Sequence, residues 1–267
     1  MNDLGWIEVL ALIISGTLVG FINTLAGGGT VISLSLFLFL GLPIGVANGT
    51  NRIAIVMQNL MSAGMFRKQK ILDLRKASWL ALPAVIGSLL GAQIAAEVNK
   101  TVIEHAFAVI LLLMIFFMLV KPSAYLHGDK TRQERPVSYV QIFIFFLIGI
   151  YGGFIQVGVG YFLLAALVLG AGFDLVKANA IKVWIVLLYS PFALAVFIYN
   201  GDVNWTFGLI HGLGNIIGAY IASGMAVSKG VNFVKWVIIS VIIITSAQLF
   251  GLYDFNEVIG LLLPQRR

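Results

Sequence analysis

The chain of 267 residues is 60% hydrophobic and 10% charged, with a mean hydropathy of +1.01; soluble domains carry roughly a quarter charged residues, so the composition excludes one and predicts a polytopic membrane protein. Its formal net charge of +6 comes mostly from two short loops between apolar runs, a pattern that sets topology and does not call for nucleic acid. There is no cysteine, which excludes disulfides, thiol catalysis and Cys-ligated metals.

From the N-terminus, Met1 to Glu8 is acidic where a cleavable leader would be basic, so the first apolar run, 6–25, is expected to be a retained span. Further runs follow at 31–40, 46–66, 77–96 and 102–120, then at 139–155, 161–169, 178–199, 205–227 and 233–250. Eight of these are long enough for a bilayer core of roughly 30 Å at about 1.5 Å per residue. The runs 31–40 and 161–169 are too short, and each follows a glycine cluster. That predicts a half-helix or re-entrant piece near the bilayer midplane, its broken backbone covered by protein. Arg67, Lys68, Lys70, Arg75 and Lys76 lie in one loop, and Lys121, Lys130, Arg132 and Arg135 in another. Both loops are expected to face the cytoplasm. The chain thus divides into an N-terminal transmembrane unit, 1–120, a cytoplasmic linker, 121–137, and a C-terminal transmembrane unit, 138–267.

The two units repeat each other. A shift of 131 lays Gly29 on Gly160, Gly41 on Gly172, Asn48 on Asn179 and Asn51 on Lys182, and a shift of 127 lays Gly87 to Ala95 on Gly214 to Ala222. The expected fold is therefore an all-α polytopic membrane protein of two homologous repeats, four or five transmembrane segments each and eight to ten in all. Five crossings per repeat make the halves inverted; four make them parallel. Arg266 and Arg267 favour the parallel form, whereas Lys177, Lys229 and the acidic N-terminus favour the inverted one, to which the reading leans.

Arg52 and Lys182 lie inside long apolar runs, where a cation costs about 2.5–3.5 kcal/mol. All eleven acidic residues fall at run ends or in loops. The counter-charge is then an anionic ligand or, in the alternative, backbone carbonyls freed by the broken helices, unless both side chains snorkel to an interface. Gly27, Gly28 and Gly29 precede one short run, Gly158 and Gly160 the other, placing free amides and a positive helix end where an oxyanion would sit; close helix packing is the competing use of such glycines. Asn23, Thr30, Asn48, Thr50, Asn51, Gln58 and Asn59 in the first half, and Gln156, Tyr161, Asn179, Tyr189 and Ser190 in the second, are polar residues in apolar surroundings. Asn48, Asn51, Arg52 and Asn59 share one helical face, as do Asn179 and Lys182. From these, the candidate binding set is Arg52, Lys182, Asn48, Asn51, Asn179, Gly28, Gly29, Thr30, Gly158, Gly160, Tyr161, Gln156 and Asn23. His211, in the run 205–227, is either a proton relay or a histidine bonded to a neighbouring helix. Three scattered histidines without cysteine or paired carboxylates make neither a metal site nor a hydrolytic dyad, so no enzyme and no cofactor is expected.

Leu25-Ala26-Gly27-Gly28-Gly29-Thr30, Gly41-Leu42-Pro43 and Ala47-Asn48-Gly49-Thr50 closely resemble the TauE/SafE family, also called the sulfite exporter or TSUP family. Gln156 to Tyr161 with Lys177 to Val183 is similar to the C-terminal repeat of one branch, although Ala180-Ile181 stands where the first copy has Gly-Thr. The resemblance implies a multi-pass carrier of the bacterial inner membrane for sulfite or organosulfonates such as sulfoacetate or a taurine-derived product, usually an exporter. The expected partners are that small anion and the lipid bilayer, with a homodimer left open. An uptake carrier for another anion, an anion channel and a non-transporting scaffold are the alternatives.

Overall fold

A computed structural model describes residues 4–99, Gln133 and residues 137–249, and among them the chain is helical, with no strand. Within the described residues eight α-helices follow one another: α1 Trp6–Leu25, α2 Thr30–Phe39, α3 Ile44–Lys68, α4 Leu74–Glu97, α5 Tyr139–Phe154, α6 Val159–Ala165, α7 Leu175–Tyr199 and α8 Trp205–Leu249. The starts of α4, α5 and α7 are marked by side chains that accept otherwise orphaned amides. Asp73 accepts from the amides of Arg75 and Lys76, Ser138 and Gln141 bond reciprocally at the start of α5, and Asp174 accepts from the Lys177 amide. The run 102–120, the linker 121–137 except Gln133, Val137 and its junction, and the C-terminal arginines lie outside the described residues.

Among the described residues, four helical stretches are both long and apolar enough to cross a membrane: Trp6–Leu25, Leu74–Glu97, Leu175–Tyr199 and Trp205–Ala226. Helix α3 has the length, 25 residues, but carries Arg52 and a row of amides, while α5 has only 16 residues, about 24 Å, because its helix stops at Phe154 before an extended Ile155. In addition, the runs 205–227 and 233–250 join in one helix of 45 residues. Nothing between them breaks it: Ser228-Lys229-Gly230 holds no proline, and a lone interior glycine costs about 1 kcal/mol.

The left-handed backbone positions are where the chain turns. Gly27, Gly41 and Lys70 have positive φ before the linker, and Gly158, Gly172 and Gly201 after it; each of the second three lies 131 residues beyond its counterpart. Helix α6 differs from α2 in running on into a π-helical turn, Ala166–Gly170.

Packing is crosswise. Helix α1 lies against α8, α4 against α5, α3 against α8, α4 against α7, and α3 meets α7 between them. The closest contacts are made by glycines one turn apart. A Cβ on Gly16 or Gly20 of α1, or on Gly214 or Gly218 of α8, would fall within 2.3 Å of the partner helix's backbone. The same holds for Gly87 and Gly91 of α4 against Gly149 and Gly153 of α5. Small residues here let dispersion between backbones replace the hydrophobic drive that lipid does not supply.

Candidate functional site

Arg52 is fully buried on α3 and reaches across to the C-terminal end of α5. Its guanidinium donates to the carbonyls of Gly152 at 3.0 Å and Gly153 at 2.5 Å and, more weakly, to Gln156 Oε1 at 3.4 Å. Its Cζ lies 4.8 Å from the centre of the Phe197 ring. One turn earlier Asn48 donates to the carbonyl of Phe154, the last residue of α5. These carbonyls are among those that a helix end leaves without intrahelical partners, and a cation there also complements the negative end of the helix dipole.

Lys182 does the matching thing in the opposite direction. It is 2% exposed on α7, and its Nζ donates to the carbonyls of Asn23 at 2.9 Å and Thr24 at 3.0 Å, in the last turn of α1. Thr24 is held in turn by a hydroxyl contact of 2.9 Å to Ser62. Of the two counter-charges left open by the sequence, the structure fills the carbonyl places at both cations.

The glycine turns meet between these ends. A Cβ on Gly27 would lie 2.3 Å from the Gly160 Cα, so the backbones touch and no side chain fits there, and one on Gly28 would lie 2.3 Å from the Tyr161 hydroxyl, which would have to move. Gly158, with φ +68°, caps α6. At the start of α2 the side chain of Asn23 accepts from the Gly29 amide at 2.7 Å and donates to Thr30 Oγ1 at 3.4 Å. One amide of that positive helix end is thus already taken. Gln156, between α5 and α6, donates to the Tyr189 hydroxyl at 2.9 Å and so ties Arg52 to α7.

Around this junction lie buried polar atoms without a partner: both side-chain atoms of Asn51 and of Asn179, Asn48 Oδ1, Arg52 Nε, Gln58 Oε1, Ser190 Oγ and the Tyr161 hydroxyl. A buried polar group left unbonded costs about 1–3 kcal/mol, and the two wholly unsatisfied asparagines stand 128 residues apart (179 minus 51) on the helices that carry the cations. Asn59 stands apart from this set; it bonds the Ile55 carbonyl of its own helix.

His211 lies elsewhere, among α8, α1 and α2. Its Nδ1 faces the Leu12 carbonyl at 3.0 Å and its Nε2 the Ser33 hydroxyl at 2.9 Å, with the Phe37 ring edge-on at 5.1 Å. Both ring nitrogens bond neighbouring helices. Phe197 was not among the residues singled out from the sequence: it is one apolar residue in an apolar run, and nothing local marks it as the ring beside a cation 145 residues away (197 minus 52).

Residues 12–249 match the family described as Sulfite exporter TauE/SafE. A protein of Sinorhizobium sp named a probable membrane transporter protein is 28% identical, over 94% of this chain and 95% of its own. A probable membrane transporter protein of Haemophilus influenzae is 26% identical over 94% and 97%, and one of Escherichia coli 27% over 89% and 87%. No solved structure matches.

Proposed function

Because the chain belongs to the Sulfite exporter TauE/SafE family of membrane transporters, we propose that it is a secondary transporter moving sulfite or a small organosulfonate, such as sulfoacetate or a taurine-derived product, out across the bacterial inner membrane by alternating access. The observation that carries this reading is the pair of buried cations beside Asn51 and Asn179, whose amides have no partner within the protein. A sulfonate offers three acceptor oxygens, suited to Arg52 Nε, the asparagine amides and the spare Lys182 N–H. The backbone amides after the two glycine turns and the Tyr161 hydroxyl complete the set.

The same reading takes the chain as two inverted repeats, each broken at its glycine turn. It is supported by the crosswise packing, by the positive-φ positions that recur at one offset and by the way each cation caps the other half's first helix. A site at the junction of such halves is where rocking of one against the other opens alternate sides. The negative interior favours anion exit by about 2.3 kcal/mol per charge per 100 mV.

The test is thermal stabilisation of the purified protein by sulfite, sulfoacetate, taurine, sulfate, thiosulfate and small carboxylates, in the wild type, Asn51→Ala and Asn179→Ala. Since each substitution removes an unsatisfied buried amide, the variants should melt at or above the wild-type temperature without ligand. Binding to the native state raises the melting temperature by mass action, so a shift confined to sulfite or sulfonates and lost in both variants supports the reading. If no anion shifts the wild type, weight passes to a non-transporting membrane scaffold, the reading favoured by the carbonyl bonds that both cations already make.

A further inference from the structure

We infer that Lys182 is a proton-binding site: its side chain releases and regains one proton per transport cycle, and the charged form is the one that takes the anion. The cycle rests on the carrier reading above; the proton site rests on geometry alone.

The bonds of Lys182 count to two. An ammonium has three N–H donors and a neutral amine two, and Nζ meets two acceptors, the carbonyls of Asn23 and Thr24. Loss of one proton therefore leaves both carbonyls bonded and no buried donor stranded, while the charged form keeps one N–H to offer. Arg52 offers the contrast. It meets three acceptors and an aromatic face, and a guanidinium stays protonated at every physiological pH.

No neighbour fixes the charge of Lys182. The ionisable groups on helices packed against α7 are Glu8 on α1; Arg52, Arg67 and Lys68 on α3; Arg75, Lys76 and Glu97 on α4; Tyr139 and Tyr151 on α5; Tyr161 on α6; and His211, Tyr220, Lys229 and Lys235 on α8. On α7 itself they are Lys177, Tyr189 and Tyr199. Among the described residues the acid that pairs with a lysine of α7 is Asp174, and it pairs with Lys177. The fully buried members of the set are Arg52, Tyr189 and His211, and none is an acid that would hold an ammonium.

In proton terms the step is Nζ–H3+ giving Nζ–H2 and one proton, which passes to water on the side to which the site is open. Because anion and proton favour each other's binding, they travel together, one proton per anion, so the membrane potential acts only on the charge left over, one negative charge for a dianion such as sulfoacetate, and linkage makes the coupling reciprocal.

The ligand-free protein tests the proton directly. Apparent melting temperatures of the wild type, Lys182→Arg and Lys182→Met are followed from pH 5.5 to 9.5 in one detergent. Titration of Lys182 in the folded protein makes the wild-type profile diverge from both permanently charged and permanently neutral variants, by about 3 °C per pH unit where the amine titrates. A wild-type profile parallel to Lys182→Arg throughout overturns the proposal; if the arginine is too large to fold, a profile parallel to Lys182→Met does so equally. With sulfoacetate as probe, wild-type affinity should fall up to tenfold per pH unit above that titration, and binding should draw one proton from a weakly buffered solution. Lys182→Arg should bind with less than a twofold change over the same range and draw none. Proton uptake retained in Lys182→Arg, or pH dependence that moves with His211→Gln instead, overturns it. Should no anion bind at all, the carrier reading falls, and the ligand-free profiles still decide the proton.

Discussion

At the Arg52 end, a permanent cation is held by two carbonyls, a glutamine and a phenyl ring, and the glutamine leads on to Tyr189. At the Lys182 end, a cation that chemistry allows to be erased meets two carbonyls and nothing more. Both ends solve one local problem, the unbonded carbonyls where a helix stops in the protein interior. They solve it with different residues, and the difference points to different duties: the first end is braced, and the second is left adjustable.

The largest effects should follow from removing the cations. Arg52→Gln strands the Gly152 and Gly153 carbonyls and frees the Phe197 face. Hydrogen bonds to charged groups are worth about 1.5–3 kcal/mol each, so the loss should be about 3–5 kcal/mol, read as a lower apparent melting temperature. Lys182→Met also strands two carbonyls but relieves a buried charge, and about 1–2 kcal/mol is expected. A Lys182→Met variant less stable than Arg52→Gln would break the contrast between a braced end and an adjustable one.

Several parts of this picture could be read before the structure. The glycine clusters lie between helices, Gly27 to Gly29 between α1 and α2 and Gly158 at the start of α6, and the block Gly87 to Ala95 with Gly214 to Ala222 holds glycines of the two closest helix contacts. Arg52 and Lys182 stood out because a charge in an apolar run is costly. What the sequence left open was their partners. Arg52 bonds residues about 100 positions away, and Lys182 residues 158 and 159 positions away; a backbone carbonyl, moreover, has no letter of its own. Apolar length, likewise, does not say where a helix such as α5 will stop or whether two runs will fuse as in α8.

The bracing itself is open to a finer test. Gln156→Leu and Tyr189→Phe each remove one end of the bond between them, and Gln156→Leu also gives up the long contact with Arg52. Each should cost about 1 kcal/mol, and the double variant less than the sum by about 0.5–1 kcal/mol, as groups in one network do. Strict additivity would mean that the Arg52 end is not a network.

The smallest expected effect lies at the outer edge of the same end. Asp202, in the turn between α7 and α8, donates its amide to the Phe197 carbonyl at 2.9 Å, and its own carbonyl lies where a Cβ on Gly49 would come within 2.1 Å. The matching place 131 residues earlier is Ile71, whose amide bonds the Phe66 carbonyl at 3.1 Å. An acid thus stands where the first half has an apolar residue, and burial pushes its carboxyl up from 3.8. A raised value means that the folded protein holds the proton more tightly than the unfolded chain, so stability is greatest below 3.8, falls as pH rises through the folded value and is level above it. Asp202→Asn removes that loss. At pH 7 it should match or exceed the wild type by less than ~0.5 kcal/mol, the group being partly exposed and screened, and the gap should close below pH 4. An Asp202→Asn protein less stable than wild type at pH 7 would mean instead that the carboxylate itself fastens this turn over α3, making the edge of the Arg52 end a charged clasp.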